Sequence, residues 1–192
     1  MDLFDYMREQ NMESESPLAS RLRPTTLDEV VGQQHIIGKD KLLYRAIKAD
    51  KLRSIIFYGP PGTGKTTIAK VIANTTSAEF MQINATSAGK KDMEDVIAKA
   101  KDNQGMYGKK TILFIDEIHR FNKGQQDYLL PFVEDGTIVL IGATTENPYF
   151  EVNGALLSRS VIFEWKKLTK EDIQVLLQRA VTDTEKGMGS YQ

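Results

Sequence analysis

Short apolar runs alternate along the chain with longer segments whose apolar residues recur at helical spacing. The runs are continuous rather than alternating in polarity, which is typical of parallel strands covered by helices on both faces. The pattern therefore predicts a doubly wound α/β fold with a five-stranded parallel sheet flanked by helices. Strands are predicted at 54–58, 79–84, 111–116, 137–145 and 161–165, and helices at 39–50, 65–76, 90–102, 123–135 and 154–159.

Composition places the chain among globular proteins. Its 192 residues are 41% apolar and 27% charged, and no apolar run approaches the roughly 18 residues of a membrane span. The absence of cysteine excludes disulfides and thiolate metal sites, and the N-terminus has no signal-peptide pattern, so a cytoplasmic location is predicted. The net charge of −1 provides no global attraction for nucleic acid, so any such contact requires a local basic patch.

The segment GPPGTGKT follows the first predicted strand and opens the next helix. It fits the pattern G-x-x-x-x-G-K-[ST], in which glycines let backbone N–H groups surround a phosphate at a helix N-terminus. Lys65 is placed to reach the β- and γ-phosphates of ATP, and Thr66 to ligate Mg²⁺. The predicted nucleotide-binding residues of this segment are Gly59, Pro60, Pro61, Gly62, Thr63, Gly64, Lys65, Thr66 and Thr67.

Two acidic residues end the third predicted strand, in the segment TILFIDEIHR. Ligands of such sheets bind at the carboxyl ends of the strands. Asp116 there suits a contact with Mg²⁺, and Glu117 suits the base that polarises the attacking water. His119 is one of two histidines in a chain without cysteine, which favours a packing or hydrogen-bonding role over metal binding.

Two further candidates follow downstream. The fourth predicted strand ends in Thr144 and Thr145, where a hydroxyl is placed to hold the attacking water or sense the γ-phosphate. Threonines are also common at such positions through β-propensity alone. Arg159 ends a short predicted helix; an arginine there either neutralises transition-state charge in a neighbouring subunit or is a solvated surface cation.

Four segments taken together resemble the AAA+ ATPases of the clamp-loader clade, over about residues 17–182. They are RPTTLDEVVGQQHIIG, GPPGTGKT, FIDEIHRFNKGQQDYLLPFVEDG and IGATTENPYFEVNGALLSRS. The resemblance is strongest to the branch of this clade that acts in replication-associated recombination and includes the Werner-helicase-interacting proteins. It implies a P-loop NTPase fold and ATP hydrolysis with Mg²⁺.

The resemblance also implies roles for single residues. Thr145 falls at the position of sensor 1, and Arg159 at that of the arginine finger, although Ser160 stands where the clamp-loader pattern has cysteine. Val31 and Gly32 match the segment that such proteins wrap around adenine. Asn84, ending the second strand, matches a polar residue that restrains the Walker B glutamate, and Glu117 is that glutamate here.

Members of this clade continue into a helical lid and an oligomerisation region. Here the last segment supplies one lid helix with an apolar stripe that has little to pack against. The sequence therefore predicts an excised N-terminal ATPase core of a longer protein. The predicted organisation is a flexible segment at 1–16, the AAA+ core at 17–167, and the start of the lid at 168–192.

The resemblance implies a homo-oligomer that acts on DNA at stalled replication forks, with replication proteins as partners, no membrane contact and a bacterial nucleoid-associated location. This chain alone is expected to be weakly active and monomeric. A clamp-loader subunit or branch-migration motor stays open, as does a nucleotide-gated binding module with little turnover. The helix starts after strands two and three are the predicted DNA contacts: Lys90, Lys91, Arg120 and Lys123.

Overall fold

Five parallel strands form a single sheet in the order β2-β3-β4-β1-β5, which confirms the predicted α/β class. The molecule is described by a computed structural model covering residues 17–183 and 186–191, so the predicted flexible segment 1–16 lies outside the described residues. The strands are β1 (Ser54–Tyr58), β2 (Glu79–Asn84), β3 (Thr111–Asp116), β4 (Val139–Thr144) and β5 (Ser160–Glu164).

The helices connect the strands much as the hydrophobic spacing predicts. One prediction is too short: the helix expected to end at 102 continues to Tyr107, where Gly108 ends it in the left-handed conformation, with φ of 60°. The helices are α1 (Leu18–Arg21), α2 (Gln34–Ile37), α3 (Leu42–Lys48), α4 (Lys65–Thr75), α5 (Lys90–Tyr107), α6 (Lys123–Glu134), α7 (Pro148–Glu151), α8 (Gly154–Ser158) and α9 (Lys170–Thr182), with short 3-10 turns at Leu27–Glu29, Ile118–Arg120 and Gly189–Tyr191.

The chain divides into two compact units, 25–167 and a second made from the segments on either side. In the larger unit, one apolar cluster packs around β1 and α4, and another around β3, α5 and α6. The interior strands are almost wholly buried. The expectation that every strand is buried on both faces is wrong for β2 and β5, which are half-exposed because each borders the sheet and has one neighbouring strand.

Helix α9 dominates the smaller unit. Thr169 and Asp172 form its capping box: the Thr169 hydroxyl accepts from the Asp172 N–H, and the Asp172 carboxylate accepts from the Thr169 N–H. No residue of this helix is buried, and its apolar stripe includes Leu177, which is 62% exposed. Among the described helices, none is both long and apolar enough to cross a membrane.

The parallel arrangement gives the sheet two chemically different edges. At the carboxyl edge, where the strands end, lie the loop after β1, the Asp116–Glu117 pair after β3, and the threonines after β4. At the amino edge, where the strands begin, lies Arg159, immediately before β5. The predicted functional residues are therefore divided between opposite edges.

Candidate nucleotide-binding site

The loop after β1 is anchored where it leaves the strand. Gly59 donates its N–H to the Thr144 carbonyl at 3.1 Å, and its φ of 154° is one that L side chains rarely adopt. A Cβ at Gly59 would collide with the backbone oxygen of Trp165 and come within 2.9 Å of its Cβ. This glycine is therefore required by close packing against the residue that follows β5.

The next two glycines of the loop are required for a different reason. Gly62 and Gly64 have φ of 71° and 92°, in the left-handed region that glycine tolerates best. A Cβ added to either would meet no other atom within 4 Å, so packing does not demand glycine there. The loop thus turns backbone toward open space at the start of α4, which is the arrangement that holds a phosphate.

Lys65 is the first residue of α4, and its ammonium bends back over the loop. The Nζ atom donates to the carbonyls of Gly59 and Pro60, at 2.8 Å each. Partial burial lowers the pKa of Lys65, and the nearby Asp116 carboxylate opposes that shift. The Thr63 hydroxyl also donates to the Pro60 carbonyl, at 2.9 Å, which braces the loop from within.

The acidic pair after β3 has an unusual backbone. Glu117 has φ of 52° and ψ of 45°, a left-handed conformation that is uncommon for a residue with a side chain. Its N–H donates to Asp116 Oδ1 at 3.0 Å, and its carbonyl accepts from the Arg120 N–H at 2.8 Å. Such strain, of about 1 kcal/mol, concentrates at functional sites, and here it sets the direction of the Cα–Cβ bond of Glu117.

The two threonines after β4 have different surroundings. The hydroxyl of Thr144 is 2.7 Å from Nδ1 of His119 and accepts from the Glu146 N–H at 3.0 Å, and the residue is buried. Thr145 lies just beyond the strand and is exposed. His119 therefore has the hydrogen-bonding role predicted for it, with Thr144, and the exposed Thr145 is the threonine available to a ligand.

The segment containing Val31 and Gly32 is fixed to the backbone after β5. The Gln33 side chain is buried, donates to the Lys166 carbonyl at 2.6 Å and accepts from the Lys166 N–H at 3.0 Å. Gly32 and Gln33 both have positive φ, of 79° and 55°. Sequence patterns gave no indication of this contact, which joins residues 133 positions apart.

Arg159 is not brought to this site. Its Nη2 donates to Glu134 Oε1 at 2.8 Å, and its Nη1 donates to the Ala155 carbonyl at 3.1 Å. Because Ser160 pairs with Ser54 at the start of β1, Arg159 lies level with the residue before Ser54. That position is six residues before Gly59, where the phosphate-binding loop begins, or roughly 20 Å along the strand. Nothing in the sequence pattern indicates Glu134 as its partner.

The remaining predicted residues lie at or near the carboxyl edge. Asn84 uses its Oδ1 to accept from the N–H and hydroxyl of Thr86, at 2.9 and 2.7 Å, so its restraint of Glu117 stays a prediction. The predicted DNA-contacting cations are exposed at the starts of α5 and α6 and in the turn after β3: Lys90, Lys91, Arg120 and Lys123.

Across the described part of the chain, no group of three histidine, aspartate or glutamate side chains is arranged to hold a metal ion. The oxygen donors near the loop include the hydroxyl of Thr66, in the first turn of α4, and the carboxylate of Asp116, which lies near the Lys65 ammonium. This sparse oxygen set fits Mg²⁺, which commonly takes one or two protein oxygens together with waters and substrate phosphates.

Residues 55–168, more than half of the chain, match the profile of the ATPase family associated with various cellular activities (AAA). The chain belongs to this family. A five-stranded parallel sheet with a glycine-rich loop at the carboxyl end of β1 is the corresponding nucleotide-binding P-loop fold.

Similarity to individual proteins is more informative than the family profile. The chain is 52% identical over 173 residues to replication-associated recombination protein A of Haemophilus influenzae, covering 90% of this chain and 39% of that protein. It is 51% identical to the Escherichia coli (strain K12) protein of the same name, over 90% and 38% of the two chains. It is 46% identical to ATPase WRNIP1 of Dictyostelium discoideum, over 94% and 20%. The chain thus spans about two fifths or less of these relatives.

Among solved structures, the RuvB Holliday junction branch migration motor of Thermotoga maritima is similar in fold. It superposes with a TM-score of 0.68 at 30% identity, covering 84% of this chain and 54% of that one.

Proposed function

We propose that this chain binds ATP with Mg²⁺ and hydrolyses it, as the ATPase part of a homo-oligomer that acts on DNA at stalled replication forks. The observation that carries the ATP-binding step is the loop at the carboxyl end of β1. Its left-handed Gly62 and Gly64 face open space at the start of α4, and Lys65 is already held over the loop.

Binding needs little rearrangement of the loop. The Lys65 ammonium gives up its hydrogen bonds to the carbonyls of Gly59 and Pro60 and donates to phosphate oxygens instead. The phosphate oxygens are negatively charged, so the new hydrogen bonds are stronger. Partial burial destabilises the charged form of Lys65, and the negative phosphates stabilise that form again. Nucleotide binding therefore raises the pKa of Lys65. Val31 and Gly32, fixed through Gln33, lie against the adenine.

Hydrolysis uses groups from the neighbouring strands. Glu117 takes a proton from the water whose oxygen attacks the γ-phosphorus; the bond from that phosphorus to the bridging oxygen breaks, and ADP leaves. The left-handed backbone of Glu117 directs the first bond of its side chain. Thr145 positions that water, because the Thr144 hydroxyl is already bonded to His119 and Glu146. Thr66 and Asp116 would hold Mg²⁺, which would neutralise charge on the phosphates.

The site is completed by a second copy of the chain. Arg159 lies too far from its own loop to reach the γ-phosphate, which supports a role as a finger in the adjacent subunit. Action on DNA at forks is supported by the relatives named for replication-associated recombination. The branch-migration alternative has the weaker support of the likeness to RuvB at 30% identity.

The test is steady-state ATP hydrolysis with Mg²⁺, measured with and without forked DNA. We expect hydrolysis that forked DNA accelerates and that Glu117→Gln abolishes while nucleotide binding persists. ATP binding without turnover, in an assembled protein saturated with DNA, would instead identify a nucleotide-gated binding module.

A further inference from the structure

One stretch of the chain carries a marked excess of basic residues. Residues 39–53 contain six lysine and arginine side chains and two aspartates, a net charge of +4 in a chain whose net charge is −1. The remaining residues therefore carry a net charge of −5. We call the six cations the α3 patch; they are Lys39, Lys41, Arg45, Lys48, Lys51 and Arg53.

All six side chains of the α3 patch are exposed. The two aspartates offset little of their charge, because Asp50 pairs with Lys110 at 3.6 Å and so draws in a further cation. Asp40 lies 3.9 Å from Lys41, a distance at the limit of an ion pair. Within the described residues, the other cations of the helix and of the segment after it form no ion pair: Arg45, Lys48, Lys51 and Arg53.

The geometry of α3 gathers these charges on one face. Leu43 and Ile47 are buried on the inner side of the helix. Lys41, Arg45 and Lys48, spaced four and three residues apart, fall on the opposite side and span roughly 10 Å of helix axis. Like charges at this spacing destabilise a helix slightly, so helix stability does not explain the arrangement.

The composition of the α3 patch discriminates between ligands. Protein interfaces are depleted in lysine at their cores and rely on buried aromatic or arginine anchors. Four of the six cations here are lysines, and the one exposed large apolar side chain among them is Leu42. The Lys48 ammonium lies over the Tyr44 ring, 5.4 Å from its centre, but the lysine itself is exposed. A row of exposed cations with this single aromatic contact suits a phosphate backbone, which binds through charge and counterion release.

The start of α5, which the sequence predicts to contact DNA, has a less favourable net charge for that role than the α3 patch. Its first six residues contain Lys90 and Lys91 but also three acids, and Lys90 lies 3.8 Å from Glu94. The carboxylate of Asp92 accepts from the Gly89 N–H at 2.7 Å. The net charge of that turn is therefore negative.

We propose that the α3 patch binds the phosphate backbone of duplex DNA, independently of base sequence. This inference rests on the proposed function only in taking DNA as the partner. It adds a contact surface outside both the nucleotide site and the loops predicted from the sequence.

The experiment measures binding of this chain to a fluorescent 30-base-pair duplex by anisotropy, from about 20 to 200 mM salt. Arg45→Gln with Lys48→Gln should flatten the slope of log affinity against log salt by about 0.9 for each phosphate interaction removed, and so by up to about 1.8. The matched control is Lys99→Gln with Lys101→Gln, which removes the same charge from the exposed surface of α5.

A third variant tests whether charge alone is responsible. Arg45→Lys with Lys48→Arg keeps both charges and should bind with the slope of the unmodified chain. Circular dichroism and thermal melting confirm that each variant is folded. A parallel titration with poly-glutamate, an acidic polypeptide, shows whether the surface prefers protein anions to DNA.

Four results would overturn the proposal. One is an unchanged slope in the Arg45 and Lys48 glutamine variant while DNA binding persists, which leaves the proposed function standing. Another is an equal loss in the Lys99 and Lys101 control, which shows a response to net charge alone. A third is no DNA binding by the unmodified chain at about 20 mM salt, and the fourth is a patch-dependent affinity for poly-glutamate only. In either case, acceleration of ATP hydrolysis by forked DNA decides the proposed function separately.

Discussion

The two edges of the sheet are built by different means. At the carboxyl edge, backbone conformation makes the site: Gly62, Gly64 and Glu117 all have left-handed φ angles. At the amino edge, a side-chain ion pair holds Arg159 against Glu134, and their side chains are 43% and 42% exposed.

The carboxyl edge is therefore a preformed half-site, whose geometry exists before nucleotide binds. The amino edge is a movable half-site, because its arginine can change partners. Backbone geometry that a folded chain holds at rest costs no reorganisation when nucleotide binds. An exposed ion pair contributes about 0 to 1 kcal/mol, so Arg159 can leave Glu134 for a phosphate at small cost. We therefore expect one chain to suffice for nucleotide binding, and two for hydrolysis.

The largest effect is expected at the preformed half. Lys65→Ala removes the ammonium that faces the phosphates, so ATP affinity should fall on the order of a hundredfold and turnover should vanish. Binding is checked with a fluorescent ATP analogue. Lys70→Ala, which removes an exposed lysine from the same helix, is the control and should bind normally. Normal ATP hydrolysis in Lys65→Ala would show that the site is misassigned.

The next largest effect distinguishes the role of the amino edge in turnover from the role of the carboxyl edge in binding. Arg159→Ala should leave the ATP affinity of a single chain unchanged but reduce turnover of the assembled protein by about a thousandfold, as expected for an arginine finger. Arg53→Ala, at an exposed arginine that borders the same cavity at the amino edge, should leave turnover measured without DNA within a few-fold of normal. A weakened ATP affinity of the single Arg159→Ala chain would contradict the division.

A third prediction distinguishes the two acids of the carboxyl edge. Glu117→Gln keeps the shape of the side chain but removes the base, so ATP should still bind while hydrolysis falls at least roughly a hundredfold. Asp116→Asn should instead weaken binding that depends on Mg²⁺. Binding and turnover measured over a Mg²⁺ titration separate these outcomes, and identical behaviour of the two variants would refute the assignment.

The fourth prediction tests whether the loop depends on packing at its base. Gly59→Ala places a Cβ against Trp165 at a φ that alanine disfavours, so the free energy of unfolding should fall by about 2 kcal/mol. Gly105→Ala, within α5 with nothing near its Cβ, should be neutral or stabilising. Urea unfolding measures both, and equal stability of the two variants would show that the contact is unimportant.

The smallest effects are expected from the two neighbouring threonines at the end of β4. Thr144→Val removes the hydroxyl bonded to His119 and should lower the free energy of unfolding by about 1 kcal/mol. Thr145→Val should leave stability unchanged and slow ATP hydrolysis instead. If Thr145→Val hydrolyses ATP normally, the sensor assignment is wrong.

Much of the fold was predictable because strands and helices leave local signatures. The apolar runs placed all five strands, with bounds within two residues, and the glycine-rich segment placed the phosphate-binding loop. The strand order and the half-exposure of β2 and β5 were not predictable, since they depend on which segments become neighbours in the folded chain.

The same limit applies to the candidate site. The residue types of Lys65, Asp116 and Glu117 were evident from the pattern, but the left-handed backbone of Glu117 was not. The pairing of Thr144 with His119 joins positions 25 residues apart, and no local pattern predicts it. The partner of Arg159 is likewise set by the packing of α6 beside α8.

The most direct test of the central claim mixes two inactive proteins. Lys65→Ala lacks the preformed half of the site and Arg159→Ala lacks the movable half, so neither should hydrolyse ATP after assembly. When the two are co-assembled, intact Lys65 from one copy and intact Arg159 from the other meet at one interface, and we predict partial recovery of ATP hydrolysis. No recovery, with co-assembly demonstrated by differently tagged chains, would contradict a site formed by the carboxyl edge of one copy and the amino edge of its neighbour.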